Sequence, residues 1–130
     1  MDNSMFKKMK VKDGMTCMVI NKPEGYPMPD NLVFSETGQV DCVHLFVKSR
    51  EEFENCVKAT VENRKPGGLL WISYPKSKGK TMYDINRDSM WDLAIPHGIH
   101  PVSQIALDDN WSAIRFMDNK PGEKYTRLNL

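Results

Sequence analysis

The chain has 130 residues and a formal net charge of +1, with 18 Lys and Arg against 17 Asp and Glu, and 40% of its residues are hydrophobic. This length is typical of one domain, which we place at 1–130, and the apolar fraction excludes a disordered tail. The composition also excludes collagen, coiled-coil and disulfide-scaffold proteins, and without a basic excess we expect no nucleic-acid partner.

The first half of the chain predicts one short helix and three strands. Met5 and Met9 are four residues apart, which suits a short, partly exposed helix. Apolar runs bounded by turn residues predict strands over 15–20, 32–34 and 40–47. Between the first two strands, 21–29 contains three prolines. It predicts a loop, because proline removes an amide donor and fixes φ.

The second half predicts two helices, a strand between them and a closing hairpin. Ser49 followed by Glu52 fits a capping box at the start of a helix. The second helix is expected to begin at Asp84 or Asn86, which are both favourable N-cap residues. The remaining apolar runs predict strands over 69–74, 102–107 and 111–117.

The order of these elements predicts the architecture. Strands three and four, and strands four and five, are joined through helices, and right-handed crossovers of this kind build a mainly parallel sheet. We therefore predict an α/β fold, a small three-layer Rossmann-like sheet of about six strands in the order 2-1-3-4-6-5, with an antiparallel C-terminal hairpin. The core is expected over about 10–117, and 118–130 are expected to form a loosely held tail.

Cysteine usage and hydropathy bear on the cellular compartment. Cys17, Cys42 and Cys56 are an odd number and form no CxxC pair, which argues against a disulfide framework and a zinc site. No apolar run reaches the roughly 20 residues of a membrane helix, and no signal peptide follows the N-terminal lysines. We expect a cytoplasmic protein with no membrane partner.

Several segments resemble known families. Lys65–Ile72 (KPGGLLWI) and Val40–Phe46 (VDCVHLF) are similar to two successive strand segments of class I methyltransferase-like Rossmann domains. Over about 10–117 the chain resembles a bacterial family of small proteins of unknown function. The motifs that carry this second resemblance are Asn21–Tyr26 (NKPEGY), Tyr74–Lys76 (YPK), Asn86–Asp88 (NRD) with Trp91, and Asp108–Phe116 (DDNWSAIRF). The resemblance implies a truncated methyltransferase-like sheet and no assigned activity.

The loop after the first strand departs from the methyltransferase pattern. In that fold a glycine-rich loop lets the backbone approach S-adenosylmethionine, whereas here Ile20 is followed by prolines around a single glycine, Gly25. Glu36 is the candidate for the acidic residue that holds the ribose at the end of the second strand. No cofactor is therefore predicted, and S-adenosylmethionine stays as the alternative.

The best-placed ligand site follows from the predicted topology. In open parallel sheets, ligands bind beyond the carboxyl ends of the strands where the strand order reverses, here between strands one and three. Amides that open a helix after strand three suit an anion. The candidate residues at this switch point are Asn21, Lys22, Glu24, Gly25, Tyr26, Lys48, Ser49, Arg50, Tyr74 and Lys76. Their charges and aromatic rings suit a small anionic or nucleotide-like ligand.

Five further residues are secondary candidates. Arg87 and Asp88 either begin a helix or face a ligand beyond strand four. Asp108 and Asp109 are interpreted as turn residues rather than metal ligands, and no metal is predicted. Arg115 is expected to pair with an acid such as Asp88 or Asp109.

A basic stretch lies between strand four and the second helix. Residues 64–87 hold six basic residues against one acid, which is typical of a solvated loop and also of a cluster that neutralises an anion. Gly79-Lys80-Thr81 within it is not a phosphate loop, because Tyr74 stands where the pattern requires a glycine.

Three hypotheses of function follow. The first is a non-catalytic, methyltransferase-like module that binds a small anionic or nucleotide-like ligand or a partner protein. The second is a small enzyme, such as an S-adenosylmethionine-dependent methyltransferase with a degenerate cofactor loop. The third is an interaction scaffold that pairs with itself or with another protein. A cavity at the switch point favours the first two, and a large exposed apolar patch favours the third.

Overall fold

A computed structural model describes residues 1–77 and 83–123. Its elements in chain order are α1 (Ser4–Lys8), β1 (Thr16–Ile20), β2 (Val33–Phe34), β3 (Val40–Phe46), α2 (Arg50–Glu62), β4 (Arg64–Pro75), α3 (Arg87–Ala94), a 3-10 turn (Ile95–His97), β5 (Ile99–Ala106) and β6 (Trp111–Asp118). Within these ranges, none of the helices has the length and apolar character that crossing a bilayer requires.

The six strands form one sheet in the order β2-β1-β3-β4-β6-β5, which is the predicted order. β2, β1, β3 and β4 are parallel neighbours, whereas β6 is antiparallel to both β4 and β5. The α/β class and the antiparallel C-terminal hairpin are therefore confirmed. Because parallel strands point the same way, the carboxyl ends of β1, β2, β3 and β4 meet at one edge of the sheet.

Helices α2 and α3 cover one face of the sheet. Ser49 begins α2, because its hydroxyl accepts a hydrogen bond from the Glu52 amide at 3.1 Å. The capping box predicted there forms only in part, since Glu52 Oε1 accepts from the Lys48 amide at 2.9 Å instead of from Ser49. The core on this face contains Met18, Val43, Leu45, Phe53, Val57, Leu70, Ile72, Met90, Ala94 and Ile114.

The opposite face is covered by α1 and by the loop over 21–32. The predicted partly exposed helix is confirmed, since Lys7 and Lys8 face solvent while Met5 is buried. The indole Nε1 of Trp71 donates to the Met9 carbonyl at 3.0 Å and fixes the end of α1 on the sheet. The core on this face contains Met5, Phe6, Met9, Cys17, Tyr26, Leu32, Cys42, Phe46, Trp71 and Ala113.

β4 begins earlier than the sequence pattern predicts. It starts at Arg64 rather than at residue 69, because Arg64 pairs with Val40 on β3 before a register shift. In this irregular stretch a Cβ on Gly68 would lie only 2.8 Å from the Asp41 carbonyl oxygen. The glycine there permits a close approach of two backbones that no other residue allows.

β5 also begins earlier, at Ile99 rather than at residue 102. Its pairing with β6 shifts register between Pro101 and Ser103, which leaves Val102 as a bulge. This irregular stretch explains why the apolar pattern predicted only the later part of the strand, since a bulge reverses the alternation of faces.

The end of β6 and the residue after it are held to the sheet. Arg64 Nη2 donates to Asp118 at 2.5 Å, and the Asn119 amide donates to the Gly98 carbonyl at 2.8 Å. The segment expected as a loosely held tail is thus anchored where it begins. Its last part, 124–130, and the Gly79-Lys80-Thr81 sequence lie outside the described residues.

Candidate functional site

A cavity of about 430 Å³ lies where β1 and β3 end, at the predicted switch point. We call it the switch-point cavity. Four of the predicted site residues line it together, which the sequence indicated from topology alone. Its lining consists of Asn21, Lys22, Pro23, Glu24, Phe46, Lys48, Glu52 and Trp111.

The wall of the switch-point cavity is aromatic. The rings of Phe46 and Trp111 meet edge to face, with centroids 4.9 Å apart and planes at 88°. Asn21 closes the adjacent corner, since its Nδ2 donates to the Phe46 carbonyl at 3.0 Å. Asn21 also takes a left-handed backbone conformation with φ of 59°, which asparagine tolerates better than most residues. The side chain and the turn therefore fix the start of the loop after β1.

The start of α2 is not open to an anion in the way that the sequence suggested. The Arg50 amide donates to Asp84 Oδ1 at 3.1 Å, and Arg50 Nε donates to the Asp84 carbonyl at 2.8 Å. Ser49 is occupied as the helix cap. A carboxylate of the chain itself therefore takes the place of the expected ligand at this helix end. The sequence suggested Asp84 only as a cap for α3, and no local signal links it to α2.

A second cavity, of about 340 Å³, adjoins β1 and β2, and we call it the β2-side cavity. Lys22 lines both cavities, and its Nζ lies 3.3 Å from Met28 Sδ. Glu36, the predicted acidic residue after β2, belongs to this cavity. The described residues that line it are Cys17, Val19, Lys22, Met28, Phe34, Ser35 and Glu36.

Tyr26 points into the protein rather than into a cavity. Its hydroxyl lies 3.1 Å from His44 Nδ1, and His44 Nε2 lies 2.6 Å from Ser73 Oγ. All three residues are buried. Burial lowers the pKa of His44 to about 3, so the imidazole stays neutral and joins two hydroxyls. Burial likewise raises the pKa of Tyr26. This chain of hydrogen bonds secures the loop, and the neighbouring Gly25 is exposed.

A third cavity, of about 400 Å³, lies beyond the end of β4, and we call it the β4-end cavity. It brings Tyr74 and Lys76 together with Arg87 and Asp88, so two groups of predicted residues converge. Among the described residues, this cavity and the switch-point cavity have no lining residue in common, so the two groups lie apart from the switch point. The described residues that line the β4-end cavity are Tyr74, Pro75, Lys76, Ser77, Asn86, Arg87, Asp88, Gln104 and Ser112. Neither Gln104 nor Ser112 was singled out as a candidate, because neither carries a distinctive pattern.

The two aspartates after β5 differ in role. Asp108 Oδ1 accepts from the Asn110 and Trp111 amides at 2.7 and 2.8 Å, and its Oδ2 lies 3.2 Å from the Met1 ammonium group. Asp109 is exposed. Across residues 1–77 and 83–123, no group of three or more His, Cys, Asp or Glu could hold a metal ion.

The prediction that Arg115 pairs with Asp88 or Asp109 is wrong. Arg115 makes no ion pair in the described part of the chain, and its buried Nε has no hydrogen-bond partner there. The reason is its side of the sheet. Arg115 pairs with Trp71, which faces α1, whereas Asp88 lies on α3 on the opposite side.

Exposed apolar side chains do not form one patch among the described residues. The large ones are Met28 and Val33 near the β2 edge, and Val102 and Met117 near the β5 edge. They lie at opposite edges of the sheet. Within residues 1–77 and 83–123, the exposed large apolar side chains are therefore divided between the two edges and form no broad apolar surface.

Comparison with known proteins identifies the fold. No protein-family model matches the sequence, and no curated protein matches it. Solved structures do match. A ribosomal protein L11 methylase from Lactobacillus delbrueckii subsp. bulgaricus superposes with a TM-score of 0.58 at 6% identity, covering 92% of this chain and 81% of that one. The N-methyltransferase NodS from Bradyrhizobium japonicum WM9 has a TM-score of 0.57 at 9% identity, covering 90% and 94%.

A third match was solved with ligands. The 1,6-didemethyltoxoflavin-N1-methyltransferase of Burkholderia thailandensis, with bound 1,6-didemethyltoxoflavin and S-adenosylhomocysteine, has a TM-score of 0.57 at 8% identity and covers 90% of this chain and 76% of that one. At such low identities the likeness establishes the fold alone. The Rossmann-like, methyltransferase-like sheet that the sequence predicted is therefore confirmed.

Proposed function

We propose that this chain binds an adenosyl ligand of the S-adenosylmethionine type in the switch-point and β2-side cavities. The observation that carries the proposal is the position of these cavities. Both lie at the carboxyl ends of β1, β2 and β3, in a fold whose solved neighbours include a methyltransferase with bound S-adenosylhomocysteine. Ligands of open parallel sheets bind at such a switch point.

The residues of the two cavities fit the parts of this ligand. The carboxylate of Glu36 can accept hydrogen bonds from the two ribose hydroxyls, and the Phe46–Trp111 wall suits a planar purine. Lys22 and Lys48 supply positive charge for the carboxylate of the amino-acid part. Volumes of about 340 and 430 Å³ lie within the range of small-molecule sites.

The loop after β1 differs from a glycine-rich cofactor loop. Pro23 and Pro27 have no amide hydrogen, and a Cβ added to Gly25 would meet nothing within 4 Å. The positive φ of 79° shows that the turn itself requires this glycine. The side chains of Lys22 and Lys48 therefore take over the binding that backbone amides perform elsewhere.

The chain's own residues bind, orient and exclude water. S-adenosylmethionine, when bound, supplies an activated methyl group, and the cofactor's chemistry needs little more than an oriented acceptor. Phe46 and Trp111 shield one side of the switch-point cavity from solvent. Glu24, which is exposed at its rim, is placed to accept a proton from an acceptor group.

Binding without catalysis is the second candidate function. The loop rich in proline and the two lysines favour it, because they suit a small anionic or nucleotide-like ligand that needs no methyl transfer. The two candidates share the site and differ in turnover. Formation of S-adenosylhomocysteine with a panel of small-molecule acceptors separates them.

The test is calorimetric titration with S-adenosylmethionine, S-adenosylhomocysteine, ATP and inorganic phosphate, with thermal melts in parallel. A ligand present at a hundred times its Kd raises stability by about 2.7 kcal/mol if it binds the native state alone. Glu36→Gln is expected to weaken adenosyl binding about tenfold, because a hydrogen bond to a charged group is lost. Glu62→Gln, at the exposed end of α2, is the matched control and should leave binding unchanged.

The outcomes separate the hypotheses. Binding of both adenosyl-sulfur ligands that depends on Glu36 supports the proposal. Binding of ATP or phosphate alone favours the non-catalytic module. Absence of binding by all four compounds overturns the assignment of these cavities to a nucleoside ligand.

A further inference from the structure

The β4-end cavity has features of a binding site in its own right. It lies at the same edge of the sheet as the switch-point cavity, and none of the described residues that line it also lines that cavity or the β2-side cavity. Its volume of about 400 Å³ is sufficient for a small organic molecule. A function confined to the adenosyl ligand leaves this cavity unused.

Lys76 provides the first positive charge in the cavity. Its amide donates to the Asn110 carbonyl at 2.9 Å, and its Nζ donates to the Asp108 carbonyl at 2.8 Å. The first contact fixes the backbone of Lys76 against the β5–β6 turn, and the second fixes its side chain there. An ammonium group has three hydrogens, so one bond to a neutral carbonyl leaves it charged and able to bind an anion.

Arg87 provides the second positive charge. It is the first residue of α3, directly after the Asn86–Ser89 capping box that fixes the helix start. Its Nε forms an ion pair with Asp88 Oδ1 at 3.7 Å, and its side chain is 45% exposed. The positive end of the α3 dipole adds to the same field. Among the described lining residues, Lys76 and Arg87 against Asp88 leave an excess of one positive charge.

Neutral hydrogen-bonding groups form the floor of the cavity. The Tyr74 hydroxyl accepts from Gln104 Nε2 at 2.8 Å, and Tyr74 is paired across the strands with Ser112. Burial raises the pKa of Tyr74, so the phenol keeps its proton at neutral pH. A protonated phenol, a serine hydroxyl and an amide can orient an oxygen-rich ligand without adding negative charge.

We propose that the β4-end cavity binds a small organic anion through a carboxylate or phosphate group held between Lys76 and Arg87, with Tyr74, Gln104 and Ser112 orienting the remainder. Two cations around one anionic group give charge-assisted hydrogen bonds, which are stronger than neutral ones. The inference does not depend on the adenosyl ligand, because the described residues that carry the two sites are different.

The experiment is a titration of the ¹⁵N-labelled full chain by NMR, with inorganic phosphate and with malonate as separate probes. We expect saturable shifts at the Gln104 side-chain amide and at the amides of Ser77 and Ser89. Arg87→Gln should weaken binding of the preferred probe about tenfold, and Arg87→Lys should retain most of it. Unchanged thermal melts of both variants show that the fold is intact.

The two probes identify the anionic group, since phosphate and carboxylate are titrated apart. No saturable shift with either probe, or equal binding by Arg87→Gln, overturns the proposal. Shifts centred on Asn21–Glu24 also overturn it, because the anion then occupies the switch-point cavity. Failure of adenosyl binding, in contrast, leaves this result unaffected.

Discussion

The two faces of the sheet are covered in different ways. Two capped helices, α2 and α3, cover one face, and their core residues are mostly apolar. A five-residue helix and the loop over 21–32 cover the other. In that loop, the backbone hydrogen bonds donated by the Tyr26 and Leu32 amides are long, at 3.3 Å each. A helix satisfies its own backbone, whereas this loop depends on side chains that reach the sheet.

The difference shows how a Rossmann-like sheet can lose a covering helix. The buried Tyr26–His44–Ser73 chain is directional and joins the loop to β3 and β4. Such a network holds the loop in one position. The stability of the fold then becomes sensitive to the loss of any one member, because its partners would be left buried without a hydrogen bond. The switch-point cavity lies beside this loop, so its shape depends on the less regular of the two faces.

The largest effect is expected from a matched pair of truncations. Leu45→Ala, on the helix-covered face, should destabilise the fold near the upper end of the range of about 2–5 kcal/mol for buried leucines, because packed helices cannot close the void. Leu32→Ala, in the loop, should fall near the lower end, since a loop can relax. Urea denaturation measures both. Equal losses would contradict the comparison and show that the loop is packed as rigidly as the helices.

Acid should act mainly on the loop-covered face. His44 has a pKa of about 3 in the folded chain, below the ordinary value of 6.5, so the unfolded chain binds more protons between these values. The free energy of unfolding therefore has its full value above pH 6.5. Below that pH it falls by about 1.4 kcal/mol per pH unit, which amounts to a loss of roughly 2–3 kcal/mol at pH 4.5. Denaturation at several pH values measures this slope.

His44→Gln is the control for the acid effect. Glutamine keeps a polar side chain within the network and does not titrate, so the variant should be less stable at neutral pH and lose little more down to pH 4.5. If the variant and the wild type lose the same stability over this interval, another group causes the acid sensitivity.

The smallest effect is expected on the helix-covered face, at the cap of α2. Ser49→Ala removes the cap of α2 and should lower stability by about 1 kcal/mol, while Ser49→Asp should retain the cap. Thermal melts measure both. No loss in Ser49→Ala would mean that the Glu52–Lys48 bond alone fixes the start of the helix.

The sequence was sufficient for the strands, the helices and their order, because periodic apolar runs and caps are local signals. It was insufficient to predict where β4 and β5 begin. Arg64 extends β4 through its pairing with Val40, and Val102 is a bulge defined by its partner strand. Neither the extension of β4 nor the bulge in β5 can be predicted from the residues that are neighbours in sequence.

The candidate site was predictable to a similar degree. The topology brought Asn21, Lys22, Glu24 and Lys48 around one cavity, as the switch-point rule requires. The inward direction of Tyr26 depends on His44, and the occupied start of α2 depends on Asp84, which is 34 residues from Arg50 in sequence. Side chains that meet across such separations cannot be read from a single sequence.

The bulge in β5 has a consequence for the protein at high concentration. An edge strand with free amides acts as a template on which other chains can add β-structure and aggregate. Pro101 offers no amide hydrogen, the bulge at Val102 twists the edge, and the other edge, β2, has only two residues. Both borders of the sheet thus discourage intermolecular strand addition through features of the backbone.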